Sequence, residues 1–395
     1  VQSLHDNGLR VIMDVVYNHV YDASSFSQEQ LVPGYFFRTT AEGFLANGTG
    51  CGNEVASERS MVRKFIVDSV KYWAKEYNLD GFRFDLMGIM DYTTMQQIRS
   101  ELNKIDPTIV LLGEGWNMGE VLPEAQRGSQ INASKLAGIS MFNDQIRDGL
   151  KGSVFDSNDK GWATGKTTAI DAVKPGIVGN IFFDRFVNGA WTTLDPGQSV
   201  NYVEAHDNLT LFDKLKASKR GATAAQLGSY HRLATSVILL AQGMPFIQAG
   251  QEFMRTKGGD DNSYKSSDAV NSLKWNSRAA NIATVNYYKG LIAIRKAHPA
   301  FRLSTAAEVQ AKFKFLNVAE PLIAYSIDGK AAGDSWNDVV VIHNPTATTA
   351  KVTLPSTSDW QVVVQGSKAS LTTITTLKGA STVSVPALST LVVHN

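Results

Sequence analysis

The sequence predicts an α/β chain: a partial (β/α)8 barrel, of the TIM type and entered at about its third strand, over residues 1–302, then a C-terminal antiparallel β-sandwich domain over 303–395. Three observations carry this reading. Short apolar runs alternate with segments of helical periodicity through the first three-quarters of the chain, the pattern of βα units. Six candidate strands are followed by helical sequence, two short of the eight that close a barrel. After Phe301 the composition turns to Val, Thr and Ser in short β-prone runs, the habit of a separate β domain.

In chain order, Gly8 caps a first helix end, and Leu9 to Tyr17 reads as a buried strand. Val62, Phe65, Ile66, Val70 and Trp73 recur at helical spacing to Tyr77, and Gly81-Phe82-Arg83-Phe84-Asp85 follows as a strand that ends in charge. The same alternation repeats: helix Met95 to Leu102 with strand Ile109 to Leu112, then strand Gly138 to Phe142 with helix Gln145 to Leu150. Val200 to Glu204 is the next strand, Tyr230 to Ala241 a helix, Phe246 to Ala249 the last barrel strand and Thr284 to Ala297 the last barrel helix. Beyond it, Val339 to His343, Val362 to Val364, Thr382 to Val385 and Leu391 to Val393 read as strands. The stretches Tyr21 to Ser57 and Lys151 to Ser199 are rich in Gly, Asn, Asp, Ser and Thr and read as inserted loops, where binding groups concentrate.

Composition narrows the function. At 395 residues the chain can bury roughly three-quarters of its extended surface and needs no staples. With 38 Lys and Arg against 37 Asp and Glu, mixed along the chain, there is no charge to draw it to nucleic acid or an anionic membrane, and neither is expected as a partner. The single cysteine, Cys51, excludes an internal disulfide and any multi-cysteine metal site. No apolar run approaches the ~20 residues of a membrane span. The compartment is left open. The chain starts at Val1 in what reads as a helix end and without an initiating Met, which points to a fragment or a processed product.

Three acids share one context, the C-terminal end of a predicted strand: Asp85, Glu114 in Leu111-Leu112-Gly113-Glu114-Gly115-Trp116, and Asp207 in Tyr202-Val203-Glu204-Ala205-His206-Asp207-Asn208. For any one of them a helix cap or loop solvation is the plain alternative. Parallel barrel strands, however, open on one face, where residues distant in sequence converge. Clustered carboxylates at neutral pH suit glycoside hydrolysis through an oxocarbenium-like transition state, in which one carboxyl must be ionised and another protonated. Arg83, two residues before Asp85, points to the same side by strand alternation and would hold Asp85 ionised, although a core-edge salt bridge is the alternative. Asp85 is therefore the nucleophile candidate. Glu114, flanked by glycines and Trp116, has the less polar setting of an acid/base.

His19 and His206 stand at strand ends beside Asn18 and Asp207, placed to bond sugar hydroxyls or to act structurally. There is no His-Glu-x-x-His run, no Gly-x-Ser-x-Gly turn and no Gly-x-x-x-x-Gly-Lys loop, so zinc hydrolysis, acyl transfer and phosphoryl transfer drop out. Trp116 offers a stacking face for a sugar ring. The loop Arg255 to Tyr264, too polar for a core and dense in donors and acceptors, reads as a clamp on sugar hydroxyls.

Four segments in order, Asp14-Val15-Val16-Tyr17-Asn18-His19, Gly81 to Gly88, Gly113 to Trp116 and Tyr202 to Asn208, resemble the signature regions of glycoside hydrolase family 13, the α-amylase family. Leu86-Met87-Gly88 after Asp85, Gly115-Trp116 after Glu114 and the loop 255–264 are most similar to type I pullulanases, which cut α-1,6 branches in pullulan, amylopectin and glycogen. The resemblance implies a retaining hydrolase, with an α-glucan polysaccharide as its partner. It makes Asp85 the nucleophile, Glu114 the acid/base and Asp207 the transition-state stabiliser. It also implies that His19, Arg83 and His206 line the cleaved sugar's subsite, that Asp14 supports them from behind, and that Trp116, Arg255, Asp260, Asn262 and Tyr264 contact substrate. Asn18 matches a position that binds calcium in α-amylases, but pullulanases largely lack the partner loop, so no metal site is assigned, a structural calcium stays open, and no cofactor is required. A Tyr-Asn-Trp-Gly-Tyr-Asp-Pro segment, two barrel strands and N-terminal β modules of such enzymes have no counterpart in the sequence, which implies an N-terminal partner segment, continuous or separate, to complete the barrel. The alternatives are an isoamylase-like glycogen debrancher, an α-1,4-acting amylase or neopullulanase and, outside enzymes, a non-catalytic glucan-binding barrel.

Overall fold

Four parallel strands organise the first compact unit, residues 1–142 with 191–194; three are largely buried, whereas the first, expected to be buried, exposes Ile12. The computed structural model describes the whole chain, Val1 to Asn395. In this unit β1 (Ile12–Val15), β2 (Gly81–Phe84), β3 (Val110–Gly113) and β4 (Ser140–Phe142) lie side by side in that order, all parallel. Asp14 is registered opposite Arg83 and Phe84 opposite Gly113. That register brings Asp85 and Glu114 level with each other, each one residue beyond its strand.

Two helices cover this sheet. Helix α1 (Ser60–Glu76) buries Val62, Ile66, Val67, Val70 and Ala74, a single stripe at helical spacing. Helix α2 (Tyr92–Asn103) starts at Asp91, whose carboxylate accepts the Thr94 N–H, and buries Met95, Ile98 and Leu102. With Phe82, Phe84, Leu111 and Met141 these side chains form one core. Each fully buried Val, Ile, Leu or Met contributes about 1.5–3 kcal/mol. The stretch Tyr21 to Ser57, read as a loop, contains a one-turn helix at Ser27–Leu31 and the short strand Asn53–Glu54, which pairs antiparallel with His19–Val20 just ahead of the stretch.

The second unit spans 143–190 and 195–395. It holds α3 (Asp144–Lys151), α4 (Ile170–Ile177), β5 (Ser199–Asn201), α5 (Leu211–Ser218), α6 (Ala224–Leu240), β6 (Met244–Pro245) and α7 (Ile282–Ala297). Helix α4 corrects the reading of 151–199 as loop. Pro175 and Gly176, both poor helix formers, sit in its last turn and hid it. Strand β6 precedes the expected Phe246 to Ala249 because its partner β5 offers only Val200 and Asn201 for pairing. Phe246 N–H closes on the Asn201 carbonyl, and the chain then leaves the ladder.

From Phe313 the chain is an antiparallel sheet: β7 (Phe313–Phe315), β8 (Ile323–Asp328), β9 (Asp338–Asn344), β10 (Ala350–Gln365), β11 (Lys368–Ala369), β12 (Thr375–Val385) and β13 (Ser389–His394), in the order β11-β10-β13-β9-β8-β7 with β12 on β10. A register shift between Thr353 and Ser358 bends β10, and Leu354, Trp360, Val383 and Val385 pack with Ala324, Ile342, Leu391 and Val393 in one core. Tyr325, Val341 and Val392 belong instead to the core of Leu240, Tyr288, Leu291 and Phe301. Beyond residue 302 a short helix, Ala306–Lys312, precedes the sheet, whose first strand begins at Phe313.

Candidate active site

Where β1, β2 and β3 end, the first unit gathers its charges around one guanidinium. Arg83 Nη1 lies 2.8 Å from Asp14 Oδ1 and 3.0 Å from Asp85 Oδ1, and Nη2 lies 2.7 Å from Glu114 Oε1. Burial disfavours the charge on Arg83, but the carboxylates of Glu114, Asp14 and Asp85 outweigh it and raise the guanidinium's pKa above its ordinary value. The sequence paired Arg83 with Asp85 alone. Tertiary structure shares it with Glu114 as well, so the two carboxylates differ in exposure, 25% against 11%, and not in having a cationic partner.

Backbone geometry holds both acids from behind. Leu86 adopts a left-handed conformation, φ +37°, and its N–H donates to Glu114 Oε2, 3.0 Å away. Gly88 N–H bonds the Glu114 carbonyl at 2.8 Å, and a Cβ on Gly88 would stand 1.9 Å from the Trp116 carbonyl oxygen. Gly115 lies against Met141 in the same way, its Cβ position 2.7 Å from the sulfur. Asn18 is buried; its amide nitrogen donates to the Asp85 carbonyl and, at 3.1 Å, to Asp85 Oδ2, while its oxygen meets His19 Nδ1. Both ends of that amide are thus engaged in orienting the acid and the histidine. Within this unit the structure therefore brings together Asp14, Asn18, His19, Arg83, Asp85 and Glu114, with Trp116 two residues beyond.

In the second unit His206 and Asp207 follow β5 and are 58% and 64% exposed, with Nε2 3.5 Å from Oδ1. Buried Lys257 anchors this corner: its ammonium donates to the His206 carbonyl at 2.8 Å and to Ser263 Oγ at 2.7 Å. Burial lowers the Lys257 pKa, and Arg255 adds to the effect. Asp213, the third residue of α5, receives the Lys257 N–H at 2.8 Å and the Thr256 hydroxyl. Arg255 turns its guanidinium to the carbonyls of Ala249 and Asn271 and braces the loop. Asp260 accepts the Ser266 hydroxyl and the Asn262 N–H, which lower its pKa. Asn262 and Tyr264 are exposed. Glu204 is buried beneath, and burial first of all pushes it up to about 7, against the Leu211 N–H it accepts at 2.9 Å.

Sequence reasoning missed Lys257 and Asp213. A lysine in a polar loop and an aspartate in a helix carry no local mark of being buried anchors. Chemically, the first unit offers two adjacent carboxylates of unequal exposure on one cation, an arrangement able to pair a nucleophile with a proton donor.

Comparison with known proteins gives the same direction. A family model described as the all-beta domain of pullulanase matches residues 309–368. The chain is 45% identical to a pullulanase of Bacillus subtilis (strain 168) over 361 residues, 90% of this chain and 49% of that protein. It is 33% identical to the chloroplastic pullulanase 1 of Arabidopsis thaliana, over 83% of this chain and 43% of that one. A crystal structure of a pullulanase from Paenibacillus barengoltzii in complex with maltohexaose and α-cyclodextrin matches all of this chain and 60% of its own, with a TM-score of 0.94 at 45% identity. That of the type I pullulanase from Bacillus subtilis str. 168 complexed with maltose matches 99% of this chain and 54% of its own, with a TM-score of 0.94 at 43% identity. The chain spans about half the length of the curated relatives it matches.

Proposed function

The chain belongs to the type I pullulanases of glycoside hydrolase family 13, and from that premise we propose that it hydrolyses α-1,6-glucosidic branch linkages in pullulan, amylopectin and glycogen-type α-glucans. The observation that carries this reading is the single guanidinium of Arg83 placed on both Asp85 and Glu114 at parallel strand ends. Asp85 attacks the anomeric carbon and forms a covalent β-glycosyl ester as the glycosidic C–O bond breaks, while Glu114 gives its proton to the departing oxygen. Water then attacks the same carbon, Glu114 takes its proton back, and the ester opens with net retention. Asp207 bonds the hydroxyls of the distorted sugar, His19, Arg83 and His206 line its subsite, and Trp116, Asp260, Asn262 and Tyr264 hold the neighbouring glucose units. The scheme needs no redox cofactor and no metal.

The same reading includes a preceding segment, in the same chain or a separate one, that covers the outer edge of β1. Its support is that β1 has a strand partner on one side only and exposes Ile12, together with the greater length of the relatives. A sharp cooperative melt with full turnover from this chain alone would overturn that part.

The product profile on pullulan tests the activity. Maltotriose alone is expected; panose or isopanose would move the enzyme to α-1,4 bonds, and glucan binding with no sugar released would leave a binding protein.

A further inference from the structure

The loop that follows Glu114 is held in place by an ion pair with no part in the chemistry above. Arg38 and Glu54, in the insert after β1, are 1% and 0% exposed, and Arg38 Nη1 stands 3.1 Å from Glu54 Oε2. A buried pair of this kind is seldom worth more to stability than apolar residues of the same size, so its geometry is the thing to explain. Glu54 Oε1 accepts the backbone N–H of Gly48 at 2.8 Å and of Glu120 at 3.2 Å. Arg38 donates to the Ile89 carbonyl at 2.8 Å, and its other nitrogens reach Ser57 and Glu58. Ser57 in turn accepts the Asp91 N–H. Through the backbone, Glu54 is registered against His19, and Val55 N–H bonds the Asn18 carbonyl. The ion pair therefore ties the turn after Asp85 to the loop after Glu114, and the backbone of Glu54 and Val55 joins both to the strand of His19.

Glycine lets these segments close on each other. A Cβ at Gly48 would lie 2.3 Å from Glu54 Oε1 and 2.5 Å from the Glu120 nitrogen, and one at Gly88 would strike the Trp116 carbonyl. The segment 116–120 thus runs between two side-chain-free positions, with the Glu54 carboxylate fastening its far end.

We propose that Arg38 and Glu54 are positioning residues that set the Trp116–Glu120 loop, and with it the Trp116 ring against which a glucose unit stacks. The substrate part rests on the proposed glucan hydrolysis; the loop part does not. Asp85 and Glu114 are oriented by Arg83, Asn18 and Leu86 instead, so loosening the pair should weaken substrate binding more than it slows chemistry.

The test is Glu54→Gln, which keeps the shape and removes the charge, and Gly48→Ala, which pushes on the same contact from the other side should the first fold poorly. Acrylamide quenching of Trp116 is read as the difference between each protein and its Trp116→Phe version, because the chain has seven tryptophans. KM and kcat are read on pullulan. Trp116 is expected to become several-fold more quenchable, and KM to rise roughly tenfold with kcat within about twofold, the loss of one charge-assisted hydrogen bond. Unchanged quenching overturns the proposal, even where the melting temperature falls. Greater quenching with unchanged KM overturns its substrate half. If the unaltered chain releases no sugar from pullulan, it is the hydrolase reading that fails, and the quenching still decides whether the pair sets the loop.

Discussion

Arg83 Nη2 stands 2.7 Å from Glu114 Oε1 while the same guanidinium, through Nη1, holds Asp85 and Asp14. The cation is therefore common to the whole cluster, and removal of any one acid leaves it with two others.

That redundancy predicts that Asp85→Asn and Glu114→Gln each fold normally and lose turnover on pullulan by at least about 10³-fold. Circular dichroism melts beside the rate measurement check it, and retained activity in either variant would refute the role assigned to that residue.

Arg83→Lys should be far from conservative. An ammonium is a point charge and cannot reproduce a planar fork that reaches three carboxylates from two nitrogens. A fall in kcat of about 10²-fold or more is expected, with the fold retained by circular dichroism; kcat within threefold of the original would show that the fork is dispensable.

Gly88→Ala places a methyl group 1.9 Å from the Trp116 carbonyl oxygen, backbone that can yield only by moving the loop. Overpacking of this kind costs about 1–3 kcal/mol. Urea unfolding should report that loss together with a higher KM, and wild-type stability would contradict the packing described.

Lys257→Met removes the bridge between the His206 carbonyl and Ser263. The expected outcome is roughly a tenfold drop in kcat/KM, partly restored by Lys257→Arg, consistent with two lost charge-assisted hydrogen bonds. Equal defects in the Met and Arg variants would argue against a bonding role.

Stability should fall on mild acidification. Burial lowers His231 and His343 to about 3 each, and His231 has an added push from Arg232. Both are protonated in the unfolded chain below the ordinary value near 6.5 but stay neutral in the fold down to about 3. From these two groups the unfolded chain binds more protons throughout that window, a contribution that rises with pH by about 1.4 kcal/mol per unit for each histidine and is complete above about pH 7; Glu204, pushed up to about 7, opposes it by one proton between about 4.5 and 7, so the net slope there is that of one histidine. Denaturant titrations at pH 7, 6 and 5 measure the slope, and His231→Leu should reduce it by about one proton.

The elements most readable in the sequence were those whose neighbours in space are also neighbours in pattern. The amphipathic stripe Val62 to Val70 and the strand Gly81 to Phe84 needed only periodicity, and the parity of Arg83 and Asp85 placed them on one side of the strand. Helix α4 was hidden by Pro175, and the Arg38–Glu54 pair by a loop whose polar composition resembles solvent-exposed sequence. Lys257 was invisible for the same reason. Its partners are a backbone carbonyl 51 residues away and a serine in its own loop, and neither contact leaves a periodic trace.

Residue order alone settles which chemistry is available, because an acid, an arginine or a tryptophan has its reactivity in its covalent structure, and strand alternation is a local rule. How that chemistry is apportioned was decided by tertiary contacts. Which carboxylate shares the guanidinium of Arg83, which loop an interior ion pair fastens and which lysine is stripped of water depend on distances between segments far apart in the chain. Those distances come from the packing of side chains into a common interior, a many-body outcome that no local pattern of residues encodes.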